Sequence, residues 1–217
     1  MFEQTPRNQV KRKPQRASYD KETVFVIFDE ALICHVAFVQ DGQPYVIPTL
    51  HARLGDTLYL HGANPSRLMK HLAEGGELSA AATLVDGILF ARSAFNHSFN
   101  FRSAVVYGQG RPVVDPREKM QALQALTEHV ARGRWADCRQ PNQAELDATA
   151  VAAIDIVSGS AKIHADEYPS DQEGDRSLAI WAGTLPLSEQ AGAALPDPRV
   201  PPDAPVPEYI RSYTRKK

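Results

Sequence analysis

Leu32 to Gly62 read LICHVAFVQDGQPYVIPTLHARLGDTLYLHG, three apolar runs rich in β-branched residues, separated by Asp41-Gly42 and Gly55-Asp56. Asp-Gly between two such runs signals a hairpin, because its residues accept the positive φ that primed two-residue turns need. Three consecutive antiparallel strands follow. Pro48 stands inside the middle strand and cannot donate to a ladder, so it marks a bulge or an edge where the sheet opens.

Upstream, DKETVFVIFDEA spaces Val24, Ile27 and Phe28 as one helical face behind Asp20, an N-cap residue. Residues 1–18 form a basic arm, with Arg7, Lys11, Arg12, Lys13 and Arg16 and almost nothing apolar, expected to be flexible or to lie on the surface. Downstream, LYLHGANPSRLMKHL passes from strand to helix near Ser66. ELSAAATLVDGILFARSAF then repeats a strand, a turn at Asp86-Gly87 and a strand. FNFRSAVVYGQGRPVV is a long strand broken at Gly108 and Gly110. DPREKMQALQALTEHV is a helix with Asp115 as cap, Pro116 at its first position, Glu118 closing a capping box, and a core stripe of Met120, Leu123, Leu126 and Val130. VAAIDIVSGSAKIHADEYP adds a strand that turns at Ser158-Gly159 and continues, and SLAIWAGTLPL a last apolar run. Residues 188–217 are a Pro-rich tail, expected to be extended and irregular: seven of the 16 prolines fall between Pro186 and Pro207. Many short strands with tight turns and few helices imply a mainly β fold, a small antiparallel barrel with helices at its openings.

The formal net charge of -2, from 24 basic and 26 acidic side chains, supplies no global positive field for nucleic acid or anionic lipid. No apolar run reaches membrane-spanning length and no signal-peptide core follows the basic start, so a cytoplasmic protein is expected, with no nucleic-acid or membrane partner. The two cysteines, Cys34 and Cys138, make no CxxC pair, and Cys34 lies in an apolar run as a core residue. The seven histidines include no HExxH, so no metal is expected. GxSxG, GxGxxG and Walker A sequences are all missing, which removes the common hydrolase, dinucleotide and P-loop readings. Ser66-Arg67 at a helix start fits either an ordinary helix beginning or an anion, since unpaired N–H groups and the positive dipole end gather there.

The ordered set VIPTLHAR, LYLHG, the Ser66-Arg67 helix start and NFRSAVVYG resembles the flavin-nucleotide-binding split-barrel flavoproteins, the superfamily of pyridoxamine 5'-phosphate oxidase. The similarity extends from Tyr19 to Leu187 and is nearest the oxidase-related, nitroimidazole-resistance-like subgroup. It implies a six-stranded antiparallel split β-barrel over residues 19–187, a homodimer, and FMN in a groove at the subunit interface. It also implies roles. Ser66, Arg67 and Lys70 would hold the phosphate, Ile47, Pro48, Thr49, Leu50 and His51 would meet the isoalloxazine edge, and Asn100, Arg102 and Ser103 would lie near the ring. His61 and Gly62 would stand beside ring or phosphate, with His61 as a core histidine the alternative; His51 is a substrate-side or a plain strand-end histidine. Trp181 is expected in barrel or interface packing, and Lys162 is similar to the family's strand lysine. The carboxy-terminal arginine and histidine substrate motif of the oxidases proper is missing, which puts pyridoxamine phosphate in doubt as the substrate. The resemblance implies an FMN-dependent oxidoreductase using a small-molecule substrate or nicotinamide donor, with no catalytic side chain assigned. A non-catalytic flavin-binding or sensing module, and a haem-binding barrel with His51 or His61 as axial ligand, are the alternatives.

Overall fold

The computed structural model describes residues 1–215. Strands β2 (Ile33–Gln40), β3 (Gln43–Leu54) and β4 (Thr57–Ala63) run antiparallel, as the turn chemistry predicts. Gln40 faces Gln43 across a two-residue turn in which Asp41 and Gly42 have φ of 51° and 74°, and Gly55 turns the second hairpin at φ 60°. Helix α2 (Arg67–Ala73), two long strands β5 (Glu77–Phe90) and β6 (Ser98–Pro112), helix α3 (Pro116–Val130), a short α4 (Gln143–Ala148) and β7 (Thr149–Asp155) follow. The pairings β2–β3, β3–β4, β4–β7, β7–β6, β6–β5 and β5–β2 close a ring of six strands. This is the split barrel, and it carries more strands than six. β1 (Ala17–Ser18) and β8 (Ser158–His164) extend the sheet beyond β6, and β9 (Gly183–Pro186) pairs with the far end of β5. A single turn, α5 (Glu208–Arg211), stands near the end of the chain.

Helix α1 (Lys21–Glu30) closes one barrel opening with Val24, Phe25, Ile27 and Phe28 buried. Its cap is as expected: the Asp20 carboxylate accepts from the Thr23 N–H at 2.9 Å. Leu58, Leu60, Ile154, Val36 and Val106 fill the barrel, with Leu68, Met69 and Leu72 of α2 against them. Strand β7 is buried on both faces, because Val151 and Ala153 point outward beneath Ala122 of α3. Cys34 lies within the core, where burial pushes its thiol up to about 12.

The structure corrects several local expectations. Asp86-Gly87 is no turn: β5 passes through it with a register shift between Val85 and Gly87. β6 also runs unbroken through Gly108 and Gly110, and close approach explains both glycines. A Cβ at Gly108 would stand 2.5 Å from the Asp155 carbonyl oxygen, and one at Gly110 would stand 2.6 Å from Cα of Leu72 in α2. Gly110→Ala is therefore expected to push α2 off the barrel and destabilise the fold by about 2 kcal/mol, read from the urea midpoint. Ser158-Gly159 opens β8 instead of turning, and β7 and β8 flank β6 without pairing to each other. Glu118 closes no capping box; it accepts from the Tyr59 hydroxyl at 2.9 Å and from Arg111 at 2.6 Å, and Arg111 holds its carboxyl below the usual range. Val130 is 39% exposed, because the last turn of α3 runs past the sheet.

The basic arm is anchored. Phe2 is buried in the core against Phe25, with ring centroids 6.0 Å apart, and the buried Asn8 amide donates to Ser158 Oγ at 3.0 Å. An isolated apolar residue among cations leaves no periodicity to detect. Trp181, expected in packing, is 71% exposed within this chain, its ring 5.9 Å from that of Phe90 and folded against Gly183.

Candidate functional site

β3 is twice served and once open. Its second half pairs with β4 from His51 to Leu54, whereas Gln43 to Leu50 pair only with β2. β4 meanwhile turns toward β7, with His61 facing Val151 and Gly62 facing Ala150. The two strands thus diverge beyond the His51–Leu60 pair, and the outer backbone edge of Ile47, Pro48, Thr49 and Leu50 has no strand beside it. Pro48 is tolerated in such a stretch because a one-sided strand needs fewer donors.

α2 stands at this notch. Ser66 occupies its N-cap position with an extended backbone, but its hydroxyl makes no capping bond. The Arg67 guanidinium lies over the Tyr45 ring of β3, 4.2 Å from the centroid, so cation–π contact fixes a cation beside the open edge. Arg67 and Lys70 are exposed and make no ion pair among the described residues. Gly62 lets α2 lie close: a Cβ there would meet Met69 Cγ at 3.0 Å. The His61 ring makes no hydrogen bond among the described residues; its Nδ1 is buried, and burial lowers its pKa. The helix start with its spare hydroxyl and the Arg67 cation therefore stand beside β3, while His61, one residue before Gly62, points to the opposite face of β4.

The remaining expected residues lie elsewhere. His51 belongs to the buried interior, its Nε2 2.8 Å from the Phe28 carbonyl oxygen and its ring 4.7 Å from that of His129. Bonding to that carbonyl puts the proton on Nε2 and leaves Nδ1 unpartnered. Pro48, His35, Ala81 and Val105 form one cross-strand row, so β6 lies three strands round the closed ring from β3, on the opposite wall of the barrel. On β6 the side chains alternate, which puts Asn100 and Arg102 on the face of the buried Ala104 and Ser103 on the other. Arg102 is held by two carboxylates, Glu30 at 2.9 Å and Asp86 at 2.7 Å. Asn100 exchanges hydrogen bonds with the Asp166 backbone, and the Ser103 hydroxyl donates to the Lys162 carbonyl at 3.3 Å.

Sequence reading missed Tyr45, whose role depends on α2 lying over it. It also missed the partners of Arg102, which stand 72 and 16 residues away. Among the described residues no group of histidines, cysteines and carboxylates is placed to hold a metal ion, and no helix is long and apolar enough to cross a membrane.

No curated protein matches the chain. Among solved structures it is similar to the flavocytochrome Anf3 from Azotobacter vinelandii, with 37% identity, a TM-score of 0.87, and coverage of 95% of this chain and 96% of that one. It is also similar to the FAD and haem binding protein from Mycobacterium smegmatis, with 35% identity, a TM-score of 0.85, and coverage of 90% and 96%. A 5-nitroimidazole antibiotic resistance protein from Bacteroides thetaiotaomicron shares the fold at 22% identity, a TM-score of 0.58, and coverage of 68% and 86%. The sequence model of the pyridoxamine 5'-phosphate oxidase family matches residues 20–163. With the six-stranded ring, the open edge of β3 and these matches together, the chain belongs to the pyridoxamine 5'-phosphate oxidase family.

Proposed function

We propose that this protein binds a flavin nucleotide in the notch between β3 and α2 and serves as an oxidoreductase acting on a small molecule. The observation that carries this reading is the unpaired edge of residues 47–50 on the same strand as Tyr45, over whose ring the guanidinium of a helix start is held, that helix's N-cap hydroxyl making no capping bond. Those donors suit a phosphate, and the backbone edge suits the hydrogen-bonding rim of a flavin ring. FMN is the smallest flavin that uses both; FAD, named for the Mycobacterium smegmatis relative, would use the same two contacts. Bound flavin supplies hydride and electron transfer, and the chain's residues orient it and stabilise negative charge on it.

The reading includes a homodimer. Ile33, Val39, Val46 and Val85 stand 46%, 62%, 63% and 49% exposed, an apolar patch on the outer face of β2, β3 and β5 that a second copy would cover. A groove at that interface would bring β6 of one copy toward the notch of the other.

The purified protein is expected to show flavin absorption, or to bind added FMN or FAD. Arg67→Ala should weaken flavin affinity at least about tenfold while leaving the melting temperature unchanged, since Arg67 is exposed. Wild-type affinity in that variant would remove the phosphate assignment.

The haem alternative is favoured by the names of the two most similar structures given above. His51 does not suit it, because its Nε2 is bonded to Phe28 and its ring is enclosed by Phe28 and His129. Of the two candidates, His61 alone keeps both nitrogens without a partner among the described residues. In the same spectrum, a Soret band lost in His61→Ala and kept in His51→Gln would support that assignment.

A further inference from the structure

A cavity of about 560 Å³ lies between the last turns of α3 and the segment that carries α5. It shares no lining residue with the notch. It is lined on the barrel side, its floor, by Ala52 of β3 and Ala125 of α3, on the side of the carboxy-terminal segment, its roof, by Tyr209 and Tyr213, and just past α3 by Arg132. The roof is anchored by Arg215, which donates to the Glu30 carbonyl at 3.0 Å and to the His129 carbonyl. These are terminal carbonyls of α1 and α3, which helix ends leave without intrahelical donors.

Among the described residues the charges lining the cavity do not balance: three arginines, Arg53, Arg132 and Arg215, stand with two carboxylates, Asp29 and Glu128. Arg53 is bidentate on Asp29, at 3.0 and 2.6 Å. The Glu128 oxygens accept from the Gly133 and Trp135 N–H groups at 2.7 and 2.8 Å. Arg132 has no hydrogen bond or ion pair among the described residues, and the Tyr213 hydroxyl has no partner there either. One guanidinium and one hydroxyl are left over, next to space bounded by methyl groups and tyrosine rings.

We propose that this cavity is a second ligand site, separate from the flavin notch, for a small planar carboxylate. The carboxylate would sit on Arg132 and the Tyr213 hydroxyl, and the planar body between the tyrosine roof and the alanine floor. A guanidinium matches a carboxylate bidentately, one negative charge offsets the one in excess, and the volume falls within the range of small-molecule pockets.

Benzoate is the probe, and benzamide is its uncharged counterpart of the same shape. By calorimetry on the full chain, benzoate is expected to bind with a dissociation constant of about 1 mM or lower, and benzamide at least about tenfold more weakly. Arg132→Gln should weaken benzoate about tenfold without lowering the melting temperature, and Arg132→Lys should restore part of the affinity. No benzoate binding at about 10 mM, equal affinity for benzamide, or wild-type affinity in Arg132→Gln would each overturn the proposal. The last result is also what binding in the flavin notch would give.

Discussion

Acidification from pH 7.5 to 5 is expected to weaken the fold by about 2 kcal/mol or more through two neighbouring histidines, His51 and His129. Burial lowers both to about 4; at His129 the neighbouring His51 and Arg215 lower it further. An unfolded histidine takes up its proton near 6.5. Between about 6.5 and 4 the unfolded chain therefore binds more protons than the folded one. Their contribution is fully present above the upper value and is lost as pH falls toward the lower one. The geometry gives the cause. His51 Nε2 is committed to the Phe28 carbonyl, and a proton on its buried Nδ1 would find no acceptor among the described residues. Urea midpoints at the two pH values test this, with His51→Gln as the control, because its amide can still donate to Phe28 but does not titrate. Carboxylates held low by partners, such as Glu118 and Asp166, lose their contribution at lower pH and do not mask the effect. Identical wild-type midpoints at both pH values would defeat the prediction.

Arg102→Ala is expected to cost about 3 kcal/mol, because it strands a carboxylate that the fold has largely removed from water. The Glu30 side chain is only 11% exposed, and Arg102 is its ion-pair partner. Asp86, 36% exposed, is the second and wetter partner. Hydrogen bonds that the guanidinium donates to both carboxylates raise its pKa, so the pairing holds across the working pH range. Chemical denaturation of Arg102→Ala, Glu30→Gln and the double variant gives the coupling directly: the double variant should lose less than the two singles combined. A loss below about 0.5 kcal/mol in Arg102→Ala would return the residue to an ordinary strand-end arginine. It would also leave the guanidinium available to a ligand near β6, as the family resemblance implies.

These two cases show which parts of the molecule were legible in the sequence. The hairpins were, because Asp41-Gly42 and Gly55-Asp56 state their own backbone conformation. The Asp20 cap and the apolar face of α1 were, because helix starts and helical periodicity are local. Asp86-Gly87 uses the same letters as a turn and is a register shift inside β5, since the pairing of β5 with β6 and β9 outweighs a local preference. Gly108 and Gly110 resembled breaks because a close approach by α2 or by the end of β7 leaves no mark on β6 itself. The open edge at Pro48 and the helix start at Ser66 could each be seen locally, but that they serve one groove came only from the family resemblance. Nor could the commitment of Arg102 be seen, since its two partners arrive from different elements.

By itself, the sequence determined the first two hairpins and the caps of α1 and α3, because turn chemistry and caps act over a few residues, and its ordered motifs carried the resemblance to the family. Only the tertiary structure decided which side chains remain free. His51 is enclosed, Arg102 is paired, Phe2 is drawn from a basic arm into the core, and Arg67 lies over Tyr45 with no ion pair among the described residues. The physical reason is that burial and pairing depend on what other elements bring to a residue, and those neighbours are distant in the chain. LYLHGANPSRLMKHL reads the same whether or not an open strand edge lies beside it; the divergence of β3 from β4 is what puts one there.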